Sequence, residues 1–134
     1  QNRLIIDAGT CITYDFVNAE NQYLGGAISP GIKIRYKSLN NYTSKLPLLT
    51  LSEDFEIIGN STKSAIHSGV INGVIFEIEG FISQYSLKNQ DLTIILTGGD
   101  AEFLAKRLKS TIFANSNFLL ESLNLLSLYT QKND

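Results

Sequence analysis

RLIIDAGTCITYDFV, residues 3–17, holds two strands and the turn that joins them. Arg3 to Asp7 is a short apolar run that closes on an acid. Ala8-Gly9-Thr10 has the small, glycine-containing chemistry of a tight turn. From residue 11 to 17 the chain is β-branched and aromatic, with Ile12, Thr13, Tyr14, Phe16 and Val17 in imperfect alternation, which reads as a second strand. Outward from there, Asn18 to Gln22 is polar turn sequence, and Tyr23 to Ser29 reads as a third strand interrupted at Gly25-Gly26. Short connections between three successive strands predict an antiparallel meander.

Pro30-Gly31 opens a helix in which Ile32, Tyr36 and Leu39 recur at near-helical spacing and Lys33, Arg35 and Lys37 fill a solvated face. It should end near Asn40-Asn41, and residues 42–55, of mixed polarity with Pro47, read as a loop. A long helix follows. Thr62 can cap it, and Ile66, Val70, Val74, Ile78, Ile82 and Tyr85 form a stripe widened by Ala65, Ile71, Ile75 and Phe81. Gly69 and Gly73, one turn apart, predict close approach of another backbone and fit a dimer interface. Asp91 to Leu96 reads as a buried strand, Ala101 to Lys109 as a short helix with Phe103, Leu104 and Leu108 inward, Ile112 to Ala114 as an edge strand, and Leu119 to Tyr129 as a terminal helix. A meander followed by strands alternating with helices predicts an α/β fold with a mixed sheet.

Composition narrows the function. At 134 residues the chain suits one domain, residues 1–134. With 43% hydrophobic residues and a net charge of −2 it is not a disordered chain, and a single cysteine excludes an internal disulfide framework. A pI near 5.4 argues against a nucleic-acid module, and no uninterrupted apolar run reaches the ~20 residues of a membrane span. A cytoplasmic protein is expected. The chain opens on Gln1 and contains no Met, which reads as a fragment or a processed chain.

Four glycine-containing segments could carry chemistry. Asp7-Ala8-Gly9-Thr10, with Thr13 and Asp15 beyond, places a carboxylate at a strand end and a turn whose N–H groups and Thr10 hydroxyl suit phosphate oxygens, or else a hairpin turn with an Asx bond. Thr97-Gly98-Gly99 stands between a buried strand and a helix, where a ligand or simply a tight turn would explain it. Gly59-Asn60-Ser61-Thr62 is an N-cap that can also face a ligand. Gly25-Gly26-Ala27-Ile28-Ser29-Pro30-Gly31 implies an unusual backbone. Cys11 reads as inert packing, His67 as a surface or interface residue, and Glu77 and Glu79, two apart on a helix, as a poor acid/base pair.

In this order the segments resemble the C-terminal half of type III pantothenate kinases. Leu46-Pro47, Ala65-Ile66, Ser68-Gly69 and Thr97-Gly98-Gly99-Asp100-Ala101 complete the match. The resemblance implies one RNase H-like lobe of the acetate kinase, sugar kinase and actin-like ATPase superfamily, the N-terminal lobe being absent from this chain. It implies ATP-dependent phosphorylation of pantothenate to 4′-phosphopantothenate, with Mg2+ accompanying ATP, a monovalent cation (K+ or NH4+) and a homodimer. By the same resemblance Asp7 is the cation ligand, Gly9 and Thr10 contact ATP phosphate, Gly98 and Gly99 lie near the nucleotide, and Thr62 contacts pantothenate. The family's Asp-then-Gly-Asn-Thr phosphate motif and its Gly-x-Asp-Arg motif, which carries the catalytic base, are not in this sequence. No catalytic residue is therefore assigned, and the chain alone should be inactive. The alternative is a non-catalytic relative of the Bvg accessory factors, linked to transcriptional regulation, which would bind nucleotide or a protein partner without turnover.

Overall fold

The computed structural model describes residues 1–53, 55–110 and 113–114. Strands β1 (Arg3–Ala8), β2 (Cys11–Val17) and β3 (Tyr23–Pro30) form the expected meander. Helix α1 (Ile32–Asn41) follows, and then no regular element among the described residues up to 61. Helix α2 (Thr62–His67), a π-helical segment (Ser68–Asn72) and helix α3 (Gly73–Lys88) run on as one helical rod. Strand β4 (Thr93–Thr97), the short helix α4 (Ala101–Ala105) and the two-residue strand β5 (Phe113–Ala114) complete the described residues. The helix expected over Leu119 to Tyr129 lies outside them.

The sheet order is β3-β2-β1-β4-β5. β1 pairs antiparallel with β2 and parallel with β4, and β4 pairs parallel with β5, so the sheet is mixed as expected. Alternation sets its faces. Leu4, Ile6 and Ala8 of β1 and Ile12 and Tyr14 of β2 join one core cluster with Ile32 and Tyr36 of α1 and the stripe of the helical rod. Ile5, Val17 and Ile95 form a smaller cluster on the opposite face. Ring contacts bind the rod to β2, with Tyr14–Phe81 centroids 4.2 Å apart and Phe16–Tyr85 centroids 5.5 Å apart.

The π-helical segment explains the spacing of that stripe. Ile66, Val70, Val74, Ile78 and Ile82 are all buried and recur every four residues. In a regular helix of 3.6 residues per turn such a repeat drifts off the core face, and a wider π turn sets it back. The rod spans Thr62–Lys88, 27 residues, and is long and apolar enough to cross a bilayer, yet its stripe is packed against the sheet.

Three local expectations are corrected. Ser61, not Thr62, caps α2: the Ser61 Oγ accepts from Ser64 N at 3.1 Å and the Ser64 Oγ accepts from Ser61 N at 2.9 Å, a closed capping box. Among the described residues nothing presses on Gly69 or Gly73, where a methyl would meet open space. β4 begins at Thr93, because Asp91 takes a left-handed conformation (φ 54°) that ends the turn before it. α4 stops at Ala105, and beyond it the Arg107 guanidinium folds back over the Phe103 ring, 3.7 Å from the centroid, and pairs with Glu53.

Candidate functional site

β1, β3 and β4 run in the same direction, and the turns leaving their carboxyl ends meet. In open α/β sheets that edge is where ligands bind. The turns are Ala8-Gly9-Thr10, Pro30-Gly31 and Thr97-Gly98-Gly99-Asp100. Their backbones are in close contact. Gly98 sits at φ +101°, and a methyl there would fall 2.5 Å from Asp7 Oδ1 and 2.6 Å from the Ala8 carbonyl oxygen. Gly31 is seated on the first turn, where a methyl would fall 2.2 Å from the Gly9 carbonyl and 2.4 Å from that of Thr10. Only glycine fits either position.

Hydrogen bonds lock this junction. Gly9 N donates to the Cys11 carbonyl at 3.0 Å, Gly31 N to the Thr10 carbonyl at 3.0 Å, and Asp100 N to the Ala8 carbonyl at 3.0 Å. Those amides, and Ala101 N on the Gly98 carbonyl, are engaged inside the fold. The Thr10 residue itself is exposed at the mouth.

A cleft of about 480 Å³ opens above the junction, lined by Gly9, Thr10, Lys33, Ile34, Lys37, Gly99 and Asp100. Lys33 and Lys37, one helical turn apart on α1 and both exposed as expected, also line this cleft with Thr10. A second, apolar groove of about 250 Å³ lies between α1 and residues 48–51 and shares Lys33, Lys37 and Asp100 with the first. Its walls include Ile32, Tyr36, Leu48, Leu49 and Leu51. Two lysines, a carboxylate, a hydroxyl and a glycine backbone beside an apolar groove could take a phosphorylated ligand with an apolar part.

The carboxylates fit a cation. Burial, and then the charge of Asp15, push the Asp7 carboxyl above its usual range, and burial pushes Asp100 up as well. A bound cation would relieve the charge that the fold holds at Asp7. Among the described residues no group of three or more His, Cys, Asp or Glu converges. Asp15 is itself engaged. Its Oδ1 accepts from the Tyr23 hydroxyl at 2.7 Å, and that bond, more than burial, pushes the Tyr23 hydroxyl up to about 12.

Asp7, Gly9, Thr10, Gly98 and Gly99 are thus brought together, and Thr62 is not. It stands exposed in the first turn of α2 and lines neither cleft. Cys11, expected to be packed, is exposed at the start of β2. His67 is half-buried, its Nδ1 2.7 Å from the Tyr36 hydroxyl. Glu77 has no functional partnership with Glu79. Instead its carboxylate accepts from Tyr14 OH at 2.8 Å, Ser29 Oγ at 2.6 Å and Arg35 Nη2 at 2.6 Å. Burial alone would push Glu77 up, but the bonds from Ser29, Arg35 and Tyr14 prevail and hold it below the usual range. Its partners lie 42 to 63 residues away in sequence, so no local signal announces the cluster.

The model of the type III pantothenate kinase family matches residues 1–84. A protein of Flavobacterium johnsoniae named type III pantothenate kinase is 64% identical over 134 residues, all of this chain and 55% of its own length. A protein of the same name from Flavobacterium psychrophilum is 67% identical over 129 residues, 96% of this chain and 54% of its own. The chain spans about half the length of these curated relatives. A crystal structure from Campylobacter jejuni, of a protein named as a Baf family transcriptional activator, shares the fold, with a TM-score of 0.63 at 24% identity over 98% of this chain and 58% of that one.

Proposed function

The chain belongs to the type III pantothenate kinase family, and on that footing we propose that it is the C-terminal, RNase H-like lobe of an enzyme that transfers the γ-phosphate of ATP to pantothenate. The observation that carries this reading is the meeting of the three turns at the carboxyl ends of β1, β3 and β4, under a cleft lined by Thr10, Lys33, Lys37 and Gly99. Phosphoryl transfer asks a protein chiefly for positioning and charge stabilisation. Thr10 and the Gly98-Gly99 turn would hold phosphate oxygens, and Lys33 and Lys37 would offset their charge. The apolar groove beside them suits the adenine. Asp7 would hold the monovalent cation, K+ or NH4+, with Mg2+ arriving on the nucleotide. Thr62, which lines neither cleft, would contact pantothenate in a separate part of the site. A cytoplasmic homodimer, with the catalytic base in the N-terminal lobe, completes the proposal.

The test is pantothenate phosphorylation by the full-length protein, followed by mass spectrometry of the product. Formation of 4′-phosphopantothenate with ATP is expected, together with none from residues 1–134 alone. A full-length protein that folds and binds ATP but forms no product would overturn the kinase reading. Product from residues 1–134 alone would overturn the division of labour between lobes.

A further inference from the structure

We propose that Glu77 is a positioning residue for the phosphate cleft, acting through Arg35 and the Pro30-Gly31 turn. The inference rests on the kinase reading for its ligand, ATP, and goes beyond it in naming what holds the cleft in shape. Glu77 stands on α3, away from the cleft lining. Its carboxylate gathers donors from three other elements: Tyr14 of β2, Ser29 of β3 and Arg35 of α1. The guanidinium of Arg35 then makes a second bond, with Nε donating to the Pro30 carbonyl at 2.9 Å. The next residue, Gly31, is the one seated on Gly9 and Thr10 and bonded to the Thr10 carbonyl. Two charge-assisted contacts therefore connect a side chain on α3 to the backbone that would receive phosphate.

The same clamp sets the roll of α1 about its axis. Ile32 and Tyr36 point into the core, Arg35 is drawn to α3, and Lys33 and Lys37 are left facing the cleft. The Arg35–Glu77 pair is partly exposed, at 21% and 24% of the side chains, so its contribution to stability is modest and its geometric role dominates. Arginine is required at this point. A planar fork can bond a carboxylate and a carbonyl at once, whereas a lysine ammonium placed for one is poorly placed for the other.

The experiment measures the ATP dissociation constant by titration calorimetry on the full-length protein, alongside the KM for pantothenate and the melting temperature. Glu77→Gln is expected to weaken ATP at least about fivefold while the pantothenate KM stays within about twofold. Arg35→Lys should keep the ion pair and the wild-type melting temperature, yet still bind ATP several-fold more weakly. Arg107→Gln, which removes the other ion pair seen among the described residues, should lower the melting temperature and leave ATP affinity unchanged. The inference is overturned if Glu77→Gln binds ATP within twofold of wild type. It is overturned too if Arg107→Gln weakens ATP as much as Glu77→Gln, or if Arg35→Lys restores ATP affinity in full. Should Glu77→Gln fail to fold, Arg35→Lys decides alone. A wild-type protein that does not bind ATP overturns the kinase reading itself, and that result is separate from equal binding by wild type and variant.

Discussion

At Asp7 the fold holds a carboxylate against both burial and the charge of Asp15. Because the folded state raises its pKa, ionisation costs stability. The cost is absent below the ordinary value of 3.8 and fully present once the pH exceeds the raised one. Asp7→Asn should therefore raise the melting temperature of the ligand-free protein at pH 7, with the gain fading as the pH is lowered through that window. Thermal scans across pH check this, and a destabilised variant at neutral pH would contradict it. Gly98 is constrained from the other side: Gly98→Ala must adopt φ +101° and drive a methyl into Asp7 and the Ala8 carbonyl. It should lose about 1–3 kcal/mol in urea unfolding. Both residues were legible in the sequence, since an acid at a strand end and paired glycines after a buried strand are local signals. Lys33 and Lys37 were not, because a lysine on an amphipathic helix reads as solvated until a turn from elsewhere in the chain closes beside it. Glu77 was hidden for the same reason.

At the scale of the element, the rod from Thr62 to Lys88 was legible as one apolar stripe, but its π turn was not. The four-residue repeat of Ile66, Val70, Val74, Ile78 and Ile82 was in plain view, yet it also resembles an ordinary broad helical face. Its cap lies one residue before the expected Thr62, because adjacent Ser61 and Thr62 have similar capping chemistry and Ser64 closes the capping box with Ser61. The two hydroxyls now separate cleanly. Ser61→Ala should cost about 1 kcal/mol of stability in urea unfolding by opening the capping box. Thr62→Val should leave stability nearly unchanged and raise the pantothenate KM of the full-length protein. A Thr62→Val protein with wild-type KM would remove Thr62 from the site.

Across the whole molecule, the meander and the alternation of helices and strands carried enough pattern to foresee the mixed sheet. The parallel pairing of β1 with β4 was the decisive step, because it brings residue 97 beside residue 7 and stacks their turns. No local periodicity encodes that register. It follows from burying Ile5, Ile6, Ile95 and Leu96 in the middle of one sheet. The central claim is that this junction is a cation and phosphate site. Its most direct test is ADP release by the full-length protein with pantothenate and ATP, in K+ and in Na+, comparing wild type with Asp7→Ala. The account predicts K+-dependent turnover that collapses in Asp7→Ala. Turnover that is independent of K+ and indifferent to Asp7 would contradict it.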